Sequence, residues 1–183
     1  MQSHLLVTRT LTLVFAMSML AVLAGCAANS PSNDVLIADS RAALVRFAET
    51  DSGLNDWVNH AHGYAVYPSV GKGGLGFGGS FGRGIVFERG EPIGRTSVTQ
   101  GTVGWQIGVQ NYAQVIFFQD DAALRTFQRG NFEFSAQATA VAATAGAAAT
   151  TSYERGVAVF IMVKGGLMAE ATVGGQKFEY QPL

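Results

Sequence analysis

Three groupings of side chains in this 183-residue chain have the types and spacing from which chemistry is built. The first is Gly71-Lys72-Gly73-Gly74-Leu75-Gly76, which reads G-x-G-x-x-G. In a dinucleotide site such glycines follow a strand and open a helix, whose N-terminus holds the pyrophosphate. Here Leu75, Phe77, Phe81, Ile85 and Phe87 occupy odd positions, against glycines at 74, 76, 78, 82 and 84. That two-residue period predicts strand, so the required helix is missing. The phosphate-loop pattern also fails, because no Gly-Lys is followed by Ser or Thr. The second grouping, Gly78-Gly79-Ser80-Phe81-Gly82, has the lettering of a hydrolase nucleophile, which belongs at a strand-to-helix turn. Its flanks read as strand throughout. The third is His60 and His62 with Asp56 nearby; a zinc site needs at least one ligand more than the two imidazoles. They read as partly exposed histidines at a helix–strand junction. Asp120-Asp121 reads as the start of a helix, where negative charge meets the dipole. Glu88, Glu91 and Glu170 have no serine or histidine at catalytic spacing. The expectation is a non-catalytic protein with no cofactor and no metal site.

The glycine alternation has a physical meaning of its own. A strand with glycine along one face lets a backbone, a ring or a lipid approach closely, and lets a sheet bend. Each such glycine costs about 0.5–1 kcal/mol, which something must offset. One explanation is tight packing on that face; the other is a shallow surface for a flexible ligand. Arg83 shares the parity of Phe77 and Phe81, and an unpaired buried guanidinium is expensive. A bulge at Gly82-Arg83-Gly84 that turns Arg83 outward is therefore expected.

The elements that must position these residues follow from periodicity. Asp34 is a helix cap, and Val35, Leu36, Ala38, Ala42, Leu44, Val45 and Phe47 recur at three-to-four spacing. That helix should end near residues 49–53, and a second, Leu54 to His60, carries Trp57. Strands are expected at 64–68, ended by Pro68, then at 75–88, 95–110, 114–119, 132–142, 157–163, 167–173 and 177–181. A helix at 120–128 interrupts them, and an Ala/Gly/Thr loop follows Ala142. The fold class is α+β: N-terminal helices, then a mostly antiparallel, strongly bent β-sheet or barrel-like sandwich.

Composition narrows the function. Twelve basic against thirteen acidic side chains give a net charge of −1, without the basic excess of a nucleic-acid binder. Only 14% of residues are charged, and 48% are apolar. Part of that excess is the run from Leu11 to Leu23, preceded by Arg9 and followed by Ala24-Gly25-Cys26. A short positive region, an apolar stretch and small residues are the layout of a secretory signal peptide. One cysteine cannot form a disulfide within the chain. Leu23-Ala24-Gly25-Cys26 resembles the bacterial lipobox, in which the cysteine is acylated and becomes the new N-terminus. Residues 1–25 are then a lipoprotein signal peptide, 26–33 the acylated cysteine and a small polar tether, and 34–183 one domain. Ala27 after the cysteine, where the lipoprotein family would use Asp for retention, implies the outer membrane.

The order Gly63-Tyr64-Ala65-Val66-Tyr67-Pro68-Ser69-Val70 followed by the glycine block to Gly84 resembles the SYLF (Ysc84-type) domain. So do Thr102–Gln110, Phe132–Ala136 and Tyr153–Leu183, and together they cover nearly all of residues 35–183. The resemblance implies a lipid-binding module without known catalysis, found in bacterial relatives as exported lipoproteins. Lys72 and Arg83 carry over as the basic residues of its Gly-Lys-Gly-Gly and Gly-Arg-Gly turns. Where phosphoinositide-binding members expose a basic N-terminal helix, Arg41 and Arg46 here face Asp34, Asp39, Glu49, Asp51 and Asp56. The functional expectation is phospholipid binding at the envelope, with Lys72 and Arg83 holding a phosphate and Phe77, Phe81 and Trp105 adding apolar contact. The alternative is an interaction lipoprotein that holds a protein partner on its sheet surface.

Overall fold

The computed structural model describes residues 31–75, 77–103, 108–130, 140–165 and 175–183. Asn33–Leu183 forms one compact unit by itself. Its elements are α1 (Asn33–Thr50), α2 (Leu54–His60), β1 (Gly63–Leu75), β2 (Phe77–Glu88), β3 (Glu91–Val103), β4 (Gly108–Phe118), α3 (Asp121–Gln128), β5 (Val141–Ala142), α4 (Ala147–Thr150), β6 (Val157–Gly165) and β7 (Gln176–Pro182). Among the described residues, seven strands form one sheet in the order β5-β6-β4-β1-β2-β3-β7. All pairs are antiparallel except β5 with β6.

Alternate residues of the central strands enter two separate apolar layers. Tyr64, Val66, Ile85, Phe87, Val115, Phe117 and Phe160 face α1, α2 and α4, where Leu36, Ala43, Phe47, Leu54 and Ala148 meet them. Ala65, Tyr67, Val86, Ile116, Phe118 and Val159 face the other way, toward Leu124 and Phe127 of α3 and Phe178 of β7. Trp57 ties the first layer together, with ring centroids 4.8–5.6 Å from Tyr153, Phe160 and Phe117 and its indole N–H donated to the Ala148 carbonyl at 3.2 Å.

This arrangement corrects the expectation of a strongly bent or barrel-like sheet. The sheet is open and neither closed nor strongly curled, and its edges are β5 and β7. The physical reason is that helices bury both of its faces. A sheet covered by helices on two sides has no need to fold over on itself to remove apolar surface from water.

Local chemistry sets the connections. Asp120 caps α3, its carboxylate accepting from the Ala123 N–H at 2.8 Å. Arg89-Gly90 and Arg155-Gly156 have consecutive positive φ values (52° and 87°, 51° and 81°), the geometry of tight two-residue hairpin turns. Asp51, buried between α1 and α2, accepts from the N–H of Ala148 at 2.7 Å and of Gly53 at 3.1 Å. Those bonds, the one from Ala148 foremost, hold its carboxyl below the usual carboxylate range against the opposing effect of burial.

Pro68 does not end β1. The strand runs on to Leu75, and its pairing shifts register across Tyr67-Pro68 against β2 and across Pro68-Ser69 against β4. A bulge there gives proline, which lacks an N–H, a place inside a sheet. The expected strand at 95–110 is two strands, β3 and β4, separated by β1 and β2 in the sheet. Four of the residues expected as loop after Ala142 form the single helical turn α4. The strand expected at 167–173, and most of that at 132–142, lie outside the described residues.

Candidate functional site

Beyond the helical layers, β1, β2, β3 and β4 carry the glycine-rich segment, and its two faces differ in chemistry. Register fixes which residues share a face. Gly71 pairs with Phe81, which pairs with Thr99; Ser69 pairs with Arg83, which pairs with Ser97; Gly79 pairs with Gly73 and Gly101. These residues continue the face covered by α1 and α2. Val70, Gly82 and Val98, then Lys72, Ser80 and Gln100, share the opposite face.

On the first face the floor is glycine and it is open. Among the described residues, no atom lies within 4 Å of a Cβ built on Gly71 or Gly101. One built on Gly79 meets only the Gln100 carbonyl, at 3.4 Å. Phe81 stands beside this floor and is 48% exposed, a large apolar ring in water at a place where the strand could have carried a polar residue. The Arg83 guanidinium lies 5.1 Å from its centroid, within cation–π range. Ser69 donates to Asn111 Oδ1 at 2.9 Å on the same face. Further along it, Lys164 of β6 neighbours Arg46 and Asp39 of α1. Burial and the Arg46 charge lower its pKa, and Asp39 opposes them.

The second face is closed and polar inside. Ser80 donates to Gln100 Oε1 at 3.3 Å, Gln114 and Gln176 exchange bonds of 3.0 and 3.1 Å, and Gln176 donates to the Tyr112 hydroxyl at 3.3 Å. All five side chains belong to buried residues. Burial raises the Tyr112 pKa, outweighing its bonds with Ser80 and Gln176, so the phenol stays neutral. Tyr67, wholly buried and hydrogen-bonded to Thr96 at 2.8 Å, is pushed up further. Lys72 is half-buried at this face, opposite Ser80.

The residues expected to form one phosphate site therefore divide. Phe81 and Arg83 are brought together, whereas Lys72 is on the other side of the sheet and does not converge with Arg83. The expected bulge at Gly82-Arg83-Gly84 is instead in β1, at Tyr67-Pro68, opposite Gly84. Arg83 keeps the parity of Phe81 and escapes burial because this end of the sheet extends past the helices. Phe77 lies opposite Leu75 and Val103 in the strand pairing. Cys26 and Trp105 lie outside the described residues. Ser80 is inside a strand that leads into another strand, so it is not at the strand-to-helix turn that a hydrolase serine occupies.

A second constellation went unseen in the sequence. His62 Nε2 lies 3.0 Å from Glu88 Oε1 and 3.9 Å from Asp121 Oδ1. His60 turns elsewhere, its Nδ1 2.8 Å from the Asp56 carbonyl. The three members of the cluster are far apart in sequence. No signal in the sequence joined them; the pairing of Gly63 with Glu88 and Phe118 in the folded sheet puts His62 beside all three chain segments.

The fold and the open glycine floor define an α+β domain with a presented strand surface; among the described residues no helix is long and apolar enough to cross a membrane. Residues 99–181 match the family model described as Ysc84, Las17-binding protein actin regulator. That segment of the chain is thus similar to the Ysc84-type domain. It is also 28% identical over 138 residues to the Beta cell expansion factor A of Aeromonas veronii. That similarity covers 74% of this chain and 52% of the relative, so the chain spans about half the relative's length.

Proposed function

We propose that this protein is an exported, acyl-anchored lipoprotein whose SYLF-type domain binds anionic phospholipid without catalysis, at the periplasmic face of the outer membrane. The observation that carries the reading is the exposed Phe81 ring with the Arg83 guanidinium over it, beside a floor of glycines that nothing described covers. A ring enters the acyl boundary, a cation meets phosphate, and a floor without side chains lets a flexible lipid lie close against the sheet. The anchor at Cys26 holds the domain at the bilayer, where a weak affinity suffices because the local lipid concentration is high. Lys72, on the opposite face, adds to attraction of the bilayer and shares no phosphate with Arg83.

The test is co-flotation of residues 27–183 with vesicles, so that the anchor does not drive binding. Each cation near an anionic surface contributes about 1 kcal/mol. Arg83→Glu reverses one charge, about 2 kcal/mol, and should weaken binding to anionic vesicles roughly 30-fold. Added salt should weaken wild-type binding too. Equal flotation of wild type and variant overturns the role of Arg83, and no flotation with any vesicle favours a protein partner instead. For the anchor, Cys26→Ser in the full chain should abolish membrane fractionation and the acyl mass. Unchanged fractionation would refute it.

A further inference from the structure

We propose that His62, Glu88 and Asp121 form a binding site for a divalent transition-metal ion of the Zn2+ type, at the end of the sheet remote from the glycine floor. One imidazole nitrogen and two carboxylate oxygens all lie within 4.8 Å of one another. Two atoms that ligate one ion through bonds of about 2.0–2.2 Å stand about 3–3.5 Å apart. The 3.0 and 3.9 Å separations seen here reach that spacing with a small side-chain adjustment.

The chain positions each donor from a different rigid element. The His62 N–H donates to the Phe118 carbonyl at 3.0 Å, which fixes the residue at the entrance to β1. Glu88 is the last residue of β2, at the two-residue turn through Arg89-Gly90. Asp121 opens α3, and the Arg125 Nε holds its Oδ2 at 2.7 Å, leaving Oδ1 on the side of His62. Support of a ligating carboxylate by a second hydrogen-bonding group is what orients a metal ligand.

A proton alone serves this arrangement poorly. Nε2 carries at most one hydrogen, so the ring donates either to Glu88 or to Asp121. A divalent ion engages the three donors at once and, with Arg125 already paired to Asp121, adds the positive charge that Glu88 lacks. The nitrogen-plus-oxygen donor set suits Zn2+, Co2+ or Ni2+ better than Ca2+ or Mg2+, which favour all-oxygen shells. All three side chains are partly open to solvent, at 20%, 36% and 51% exposure, so water completes the shell and the ion has an entry path. The site shares no residue with the lipid surface, and either proposal stands if the other fails.

The experiment uses the full chain in detergent micelles, stripped with chelator. Zn2+ is titrated by calorimetry, and Co2+ by visible absorption, which reports imidazole ligation. Wild type should bind one equivalent and melt at a higher temperature with metal. His62→Ala and Asp121→Asn should each weaken binding at least tenfold and lose the metal-dependent shift, while His60→Ala should bind as wild type does. Glu88→Gln, which keeps the side-chain volume, carries the test if His62→Ala does not fold. No saturable binding up to millimolar Zn2+, or one-equivalent binding unchanged in both Asp121→Asn and Glu88→Gln, overturns the site.

Discussion

Glycine does opposite work in two neighbouring parts of the same sheet. Near the helices, a Cβ on Gly84 would run into the Val66 carbonyl and come within 2.9 Å of the Tyr67 ring. One on Gly82 would meet Val70 Cγ2 at 2.7 Å and the Ser69 carbonyl at 3.0 Å. A few residues further along, Cβ atoms on Gly71 and Gly101 would meet nothing described. The first pair exists because the bulge at Tyr67-Pro68 pushes β1 backbone against β2, and only a residue without a side chain fits opposite it. The second pair cannot be explained by packing. A glycine that costs stability and relieves no crowding is a position where access matters, which is why the open floor is read as a surface for ligand.

The contrast can be broken by substitution. Gly84→Val should cost more than about 3 kcal/mol or prevent folding, because the new atoms overlap backbone that the bulge holds in place. Denaturant unfolding measures it, and a loss under about 1 kcal/mol would mean the bulge relaxes freely.

Asp51 sharpens the contrast from the packed side, since it holds α4 to the α1–α2 junction through buried N–H groups. Asp51→Asn should cost about 1–2 kcal/mol at neutral pH. The sign with pH is determined by the lowered folded-state pKa: the stabilisation is present above the unfolded value near 4 and is lost as pH falls through the folded value. The gap between wild type and variant should therefore narrow from about pH 5 downward. A constant gap would show that shape, and not charge, holds the junction.

The smallest effect belongs to the open floor. Gly71→Val should leave stability within about 0.5 kcal/mol, yet weaken vesicle flotation by narrowing the approach to Phe81 and Arg83. A melt lowered by many degrees would show that this face is covered after all.

Much of the local structure was legible beforehand because it depends on neighbours in sequence. The two N-terminal helices, the helix opening at Asp120-Asp121 and the strands at 157–163 and 177–181 follow from periodicity and capping, and the structure has them with small changes of boundary. The Gly-rich segment was recognisable as strand, and so the nucleotide and hydrolase readings of its lettering fell away. Phe81 and Arg83 share a parity in the sequence, but the bulge expected to turn Arg83 away from it is in β1 instead.

What parity could not decide was register between strands. A single bulge at Tyr67-Pro68 decides which glycines are crowded, and strand pairing assigns Lys72 and Arg83 to opposite faces. Likewise, His62, Glu88 and Asp121 gain meaning only from the β1–β2 and β1–β4 pairings that bring them together. The alternation of apolar residues also has two solutions, a sheet curled over itself or an open sheet with helices on both sides. The chain chooses the second because α1, α2 and α4 supply one apolar layer and α3 the other, and that partition exists only after the helices have docked. Side-chain type and spacing act over a few residues, whereas faces, floors and clusters are set by contacts between segments far apart in the chain.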